Sequence, residues 1–283
     1  MTVRTMSEAD IDFVLKKTTE EHWEYSRIEI ERILDIDRSG SFVWDDGELK
    51  GFVTSVHCGR TGVIGHLLVT APVRGKGIGR KLLDEAVAYL EDQGMDSVIV
   101  YATAAGRRVY DAVGFRVDNT VVSGGYEFSN DQQMASVPTC PRVTPDDLDD
   151  IISLDERYFG DDRSQIIRRL YSEFPQDCYK VERDDAIRGF IFGRRTPLMS
   201  DIGPWLSTSG RKADAKMLLD TMISSIPIKR VDFALFVDNK HVFELVSPFK
   251  TVKNYTSKLM VKGERRYTGA LEDVYSNIAF ELG

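Results

Sequence analysis

The chain is poor in cysteine. Three occur in 283 residues, Cys58, Cys140 and Cys178, far apart and in no C-x-x-C pair. That excludes a disulfide framework and a structural zinc site of the usual spacing; the expectation is no metal and a reducing, cytoplasmic setting. Long apolar runs are missing too. None approaches the roughly 18 residues that a membrane-spanning helix needs, so no membrane partner is expected. The opening residues carry Glu8 and Asp10 where a secretory signal would be apolar, so no such signal is expected. Nor is there a basic surplus. The net charge is -8, with most of the excess acid in Met1–Ala135, and nucleic acid is therefore an unfavoured partner. An acidic first half suits either plain solubility or a cationic substrate.

What is present is core material. Hydrophobic residues make up 42%, including 14 Phe and 11 Tyr, which excludes a disordered chain. The length suits two domains of roughly 100–150 residues each. A seam without periodicity runs through Ser129–Pro141 and holds Pro138 and Pro141. Thr144-Pro145-Asp146-Asp147 follows it as a helix start: an N-cap, a proline at the first helical position and acids in the first turn. The expected division is a domain over 1–130, a linker over 131–142 and a second domain over 143–283. Both halves show the same order of elements: two helices, a hairpin, a buried strand, an amphipathic helix, another strand, a short helix and closing strands. The fold class expected is therefore mixed α/β (α+β), two copies of one unit with little sequence identity between them.

The most informative stretch is Leu67-Leu68-Val69-Thr70-Ala71-Pro72-Val73-Arg74-Gly75-Lys76-Gly77-Ile78-Gly79-Arg80-Lys81. An apolar strand enters a glycine-rich turn and then an amphipathic helix on Leu82, Leu83, Ala86, Val87 and Leu90. Glycines let several backbone amides converge, and a helix N-terminus adds its positive end, so the turn suits a phosphate or pyrophosphate. It is not a Walker A loop, because no Ser or Thr follows Lys76. Nor is it the dinucleotide fingerprint, because Gly75, Gly77 and Gly79 are spaced G-x-G-x-G.

Arg74-Gly75-Lys76-Gly77-Ile78-Gly79 instead resembles the acyl-CoA signature of the GNAT superfamily of N-acetyltransferases, [QR]-x-x-G-x-[GA]. A second match follows in Thr103-Ala104-Ala105-Gly106-Arg107-Arg108-Val109-Tyr110-Asp111-Ala112-Val113-Gly114-Phe115, which ends in the family's Y-x-x-x-G-F. The resemblance covers roughly Val3–Phe128. It implies a GNAT domain followed by a diverged GNAT-like one, each a mixed, mostly antiparallel twisted sheet flanked by helices.

The activity it implies is acetyl transfer from acetyl-CoA to a small-molecule or peptide amine. The amides of Arg74, Gly75, Lys76, Gly77, Ile78 and Gly79 would hold the pyrophosphate, and the Val69 backbone would pair with pantetheine. The Leu67 amide would face the thioester oxygen. Thr103, where the family usually has Asn, would lie at the cofactor side, and Tyr110 would protonate the departing thiolate.

A general base does not stand out. Val63 falls where some members carry Glu; His66, Glu20, Glu21, His22 and a water relay all remain. In the second half, Ser207–Ala213 has one glycine, Gly210, and Val246-Ser247-Pro248-Phe249 lacks the tyrosine, so that half is expected to have lost efficient acetyl-CoA binding. Asn239 sits where a helix-starting Asn belongs. Phe280-Glu281-Leu282-Gly283 reads as a feature of the subgroup. A CoA-binding sensor without turnover and a structural protein are the competing readings, and the resemblance leaves room for a homodimer.

Overall fold

The computed structural model describes residues 2–135, 140–195, 200–208, 211–226, 229–264 and 271–283. Gly210 and residues 136–139 of the expected linker lie outside them. By packing, the chain divides into two units. Unit 1 is Met1–Asp118 with Leu259–Arg265 and Glu281–Gly283; unit 2 is Asn119–Lys258 with Arg266–Phe280.

In unit 1, β1 (Thr2–Thr5), β2 (Phe42–Asp45), β3 (Leu49–Cys58) and β4 (Thr61–Val69) pair as antiparallel neighbours, and β5 (Ser97–Ala102) runs parallel to β4. Between β1 and β2 lie α1 (Ile11–Glu20) and α2 (Arg27–Ile36). The start of α2 is satisfied reciprocally. Ser26 caps it, and the Glu29 carboxylate accepts from the Ser26 amide and hydroxyl, both at 2.7 Å. On the other face of the sheet, α3 (Ile78–Asp92) turns Ile78, Leu82, Leu83, Ala86, Val87 and Leu90 inward at helical spacing. The short α4 (Arg107–Asp111) follows β5.

Unit 2 holds β6 (Arg116–Glu127) from Asn119 onward, α5 (Asn130–Ala135), α6 (Leu148–Phe159) and α7 (Ser164–Glu173). It continues through β7 (Cys178–Arg183), β8 (Ala186–Arg195), β9 (Ser200–Ser207), α8 (Lys212–Ser225), β10 (Arg230–Phe236) and α9 (Lys240–Val246). Then come β11 (Lys250–Gly263) and β12 (Val274–Ser276). The β7, β8 and β9 ladder is antiparallel, and β10 runs parallel to β9. The α9 start is built as its sequence implies: the Asn239 Oδ1 accepts from the Val242 amide at 3.1 Å.

The units do not follow the division expected at 131–142. Two long strands are the reason. β6 pairs with β10 from Val121↔Phe236 to Glu127↔Arg230, which carries Asn119–Phe128 into unit 2. β11 neighbours both β5 and β6, and its end from Leu259 belongs to unit 1. There Met260, fully buried, joins the core of α3 and β5. The first residues of the expected linker, 131–135, belong to the helix Asn130–Ala135. No helix among the described residues is long and apolar enough to cross a membrane.

Candidate active site

The site begins with a register fault in β4. Thr54 pairs with Gly65 and Phe52 with Leu68, so His66 and Leu67 together oppose Val53. That is a β-bulge, which bends the strand away from its neighbour. His66 carries the strain, with φ at 47° in the left-handed region. On the opposite edge, β4 and β5 pair from Thr61↔Ser97 to Ile64↔Val100 and no further, although both strands continue. They part at the bulge.

Backbone alternation decides what faces that split. The Thr70 amide donates to Lys50 O on the β3 side at 2.8 Å, so the amides of Val69 and Leu67 point the other way, toward the opening. The Val69 carbonyl is also outside the ladder and accepts from Arg74 Nε at 2.8 Å. Side chains divide by face. Leu67 and Val69 pack with the α3 residues and Tyr110, whereas Leu68 packs with Ile11, Val14, Ile30 and Leu34 of α1 and α2.

Beyond β4, Ala71–Val73 makes a single tight turn and the chain passes through Gly75 (φ 77°) and Gly77 (φ 83°) into α3. A Cβ on either glycine would meet nothing within 4 Å. Conformation therefore requires glycine there, not space. Gly79 differs: its backbone is ordinary, and a Cβ would touch Val69 Cγ2 at 3.4 Å. Arg74, Gly75, Lys76 and Gly77 are exposed, with α3 starting at buried Ile78.

Across the split, Thr103 is exposed and shapes the start of α4. Its hydroxyl accepts from the Gly106 amide at 3.3 Å and its carbonyl from the Arg107 amide at 3.0 Å. Tyr110 is 6% exposed and meets Phe115 edge-to-face, the ring centroids 5.8 Å apart. Burial pushes its phenol well above the ordinary tyrosine range, so it stays protonated.

The base candidates separate cleanly. Glu20 is paired with Lys17, Glu21 with Arg74, and His22 is exposed. Val63 is fully buried and has no ionisable group. His66 is buried, and burial holds it neutral, its pKa lowered to about 4. Its Nδ1 shares a 2.9 Å hydrogen bond with Thr54 Oγ1, and its Nε2 has no partner among the described residues. The Tyr25 ring stands edge-on to it at 4.3 Å, with Trp23 at 6.4 Å. The Tyr25 hydroxyl donates to Glu281 Oε2 at 3.1 Å, across 256 positions of sequence. Tyr25 and Glu281 were not singled out as site residues from the sequence. The composition of Phe280–Gly283 marks the segment, but not where it goes.

Unit 2 repeats the split and fills it. β9 and β10 pair from Ser200↔Val231 to Ile202↔Phe233, and the β8–β9 register shifts around Gly203 and Pro204. β12 pairs with β9 at Trp205 and Leu206, next to that shift. The Ser276 hydroxyl donates to Ile202 O at 2.7 Å and accepts from the Ala234 amide at 3.1 Å; the Asn277 amide reaches Ala234 O at 3.0 Å. Ser276 and Asn277 thus bridge the parted strands. A Cβ on Gly203 would overlap the Asn277 carbonyl at 1.7 Å. No group of His, Cys, Asp or Glu among the described residues is arranged to hold a metal ion.

Comparison with known proteins identifies the fold and the family. Residues 6–115 match the Acetyltransferase (GNAT) family and residues 151–276 an Acetyltransferase (GNAT) domain. No curated protein matches the sequence. Among solved structures, a candidate acetyltransferase from Pyrococcus horikoshii is similar over 100% of this chain and 95% of its own, at 18% identity and a TM-score of 0.82. A GCN5-related N-acetyltransferase from Sphaerobacter thermophilus shares 17% identity over 95% of this chain and 97% of its own, with a TM-score of 0.67. A tandem GNAT protein from the clavulanic acid biosynthesis pathway is 14% identical over 93% and 98%, with a TM-score of 0.61. At these identities the likeness establishes the fold, and the two matched stretches, which together span most of the chain, establish the family. The chain belongs to the GNAT acetyltransferases and carries two GNAT domains in tandem.

Proposed function

We propose that unit 1 transfers the acetyl group of acetyl-CoA to a primary amine by direct attack. The observation that carries this reading is the convergence, in one unit, of parted β4 and β5, a glycine turn on a helix N-terminus and a buried protonated tyrosine. Amides of the Arg74–Gly79 turn would receive the pyrophosphate, where the helix end favours negative charge. The free edge of β4 at Val69 would pair with pantetheine as a strand would. The Leu67 amide points into the same opening and would stabilise charge growing on the thioester oxygen. Tyr110 would donate its proton to the leaving sulfur. Holding amine and thioester together supplies much of the remaining rate. All three cysteines are buried and none is in a disulfide among the described residues, which supports placement in a reducing compartment such as the cytoplasm.

Two measurements test this reading. Acetyl-CoA should raise the thermal midpoint of the protein, since a ligand that binds only the folded state stabilises it. Gly77→Val should abolish that rise, because a β-branched residue resists φ near 83°. An undiminished rise in the variant would remove the turn from the site.

Stoichiometry is the second test. In unit 2 the place between the parted strands is taken by Ser276 and Asn277, so calorimetry on the full chain should give one acetyl-CoA per chain. Two equivalents would mean that β12 is displaced by ligand. Thiol release from acetyl-CoA with a panel of primary amines then separates an enzyme from a sensor.

A further inference from the structure

Within unit 1, the α1/α2 face of β4 holds a carboxylate that the scheme above leaves unused. Glu281 is 6% exposed, and among the described residues its carboxylate accepts one hydrogen bond, from Tyr25, and has no cationic partner. A carboxylate offers about four acceptor positions, and burying its charge without a counter-charge is costly. Its seat is specific. A Cβ on Gly65 would come within 2.7 Å of Glu281 Cβ and 2.9 Å of its Cα, so the backbone of this segment lies against β4 only because residue 65 is glycine. Gly65 adjoins the bulge, one residue before His66 and two before the Leu67 amide. His66 gives an independent sign of a missing ligand: it is buried, and its Nε2 is unpartnered.

We infer that Glu281 receives the ammonium group of the acceptor amine at the β4 bulge and accepts its proton, with Tyr25 positioning the carboxylate. This rests on the acetyltransfer reading. The ligand class is a primary amine that arrives as a cation. Its charge answers the unpaired carboxylate, and the rings of Tyr25, Trp23 and His66 offer aromatic surface beside it. The proton balance is complete. The ammonium loses one proton to Glu281, which passes it to solvent. The nitrogen lone pair forms the N–C bond, and the carbonyl π pair moves to oxygen. As the carbonyl re-forms, the C–S bond breaks and sulfur takes the Tyr110 proton. The second nitrogen proton leaves through the same carboxylate, and Tyr110 is reprotonated from solvent. Besides Tyr25, and His66 on β4, the buried charged groups on the helices of this face are Glu29 and Arg32 of α2; the charged residues of α1 (Asp12, Lys16, Lys17 and Glu20) are not among its buried ones. Glu29 is committed to the Ser26 cap.

The test is Glu281→Gln in the full chain, with Tyr25→Phe beside it. Thiol release from acetyl-CoA is followed with 1,5-diaminopentane, spermidine, kanamycin, lysine and a short peptide bearing a free N-terminus. On the amine that the wild type uses, Glu281→Gln should lower kcat/KM about 10²-fold while acetyl-CoA affinity changes less than twofold. Its rate should rise in proportion to hydroxide concentration where the wild type has levelled off. Tyr25→Phe should lose several-fold and keep the wild-type pH profile.

A Gln variant that matches the wild type overturns this inference alone, as does one that loses acetyl-CoA affinity in parallel with rate. A wild type that releases no thiol with any of these amines overturns the acetyltransfer reading and this inference with it. Should Glu281→Gln fail to fold, full activity in Tyr25→Phe would equally overturn it.

Discussion

Tyr110→Phe is expected to lower turnover by about 10²-fold or more while leaving acetyl-CoA affinity within about threefold. The reasoning starts from packing. The ring is buried against Phe115 and the α3 core, and phenylalanine keeps every one of those contacts. What is lost is one hydroxyl. Burial disfavours the charged tyrosinate, so Tyr110 carries its proton at every pH of interest and can offer it to charge growing on sulfur. An ordinary thiolate is a weaker base than an ordinary tyrosinate by roughly one to two units, so complete transfer is not free in water. In a water-excluded split the thiolate also loses its hydration and becomes more basic, so sulfur can draw the proton as charge grows on it. Substrate binding before that moment hardly involves the hydroxyl, so the defect should sit in kcat. Kinetics and direct binding on the same variant decide it. Full turnover with phenylalanine would make Tyr110 a packing residue.

The second large effect is one of stability. In an unfolded chain His66 would titrate near 6.5, whereas burial in the folded protein lowers it to about 4. Below pH 6.5 the unfolded state therefore binds a proton that the folded state refuses. Stability should fall as pH drops from about 6.5 to about 4 and then level off, at about 1.4 kcal/mol per unit, or about 3 kcal/mol in all. Other groups contribute their own slopes, so the comparison is with His66→Asn. Asparagine tolerates φ near 47° and retains a hydrogen-bonding group for Thr54. Urea unfolding at pH 7 and pH 4.5 should show the wild type losing about 2–3 kcal/mol more than the variant. Equal losses would mean that His66 is protonated in the folded state.

The sequence was most readable where the chemistry is local. The strand, the glycine turn and α3 lie within about thirty residues, and their signals are the spacing of apolar residues and the need for glycine at Gly75 and Gly77. The Asn239 cap is likewise a matter of three consecutive positions. The division of the chain was less readable, because it depends on β6 and β11, whose partners are distant in sequence. Alternating apolar residues say that a strand exists, not which strand it joins.

The same limit hid Glu281. Tyr25 and Glu281 meet through a hydrogen bond that no periodicity anticipates. For unit 2, loss of glycines around Ser207–Ala213 suggested a failed phosphate turn. What the structure adds is the bridge of Ser276 and Asn277 between β9 and β10, which no count of glycines anticipates.

The path of β11 also constrains how the protein is made. The core under α3 includes Met260, which leaves the ribosome about 140 residues after Asp118, or about 7–30 seconds later at about 5–20 residues per second. Until then β5 has no neighbour on the side that β11 will take, and an unpaired strand edge invites the wrong partner. Unit 1 starts before unit 2 in the chain, yet it cannot close until β11 has been made. Slow elongation through the second half would lengthen that exposure, and a chaperone that shields strand edges would act on this chain mainly in that interval.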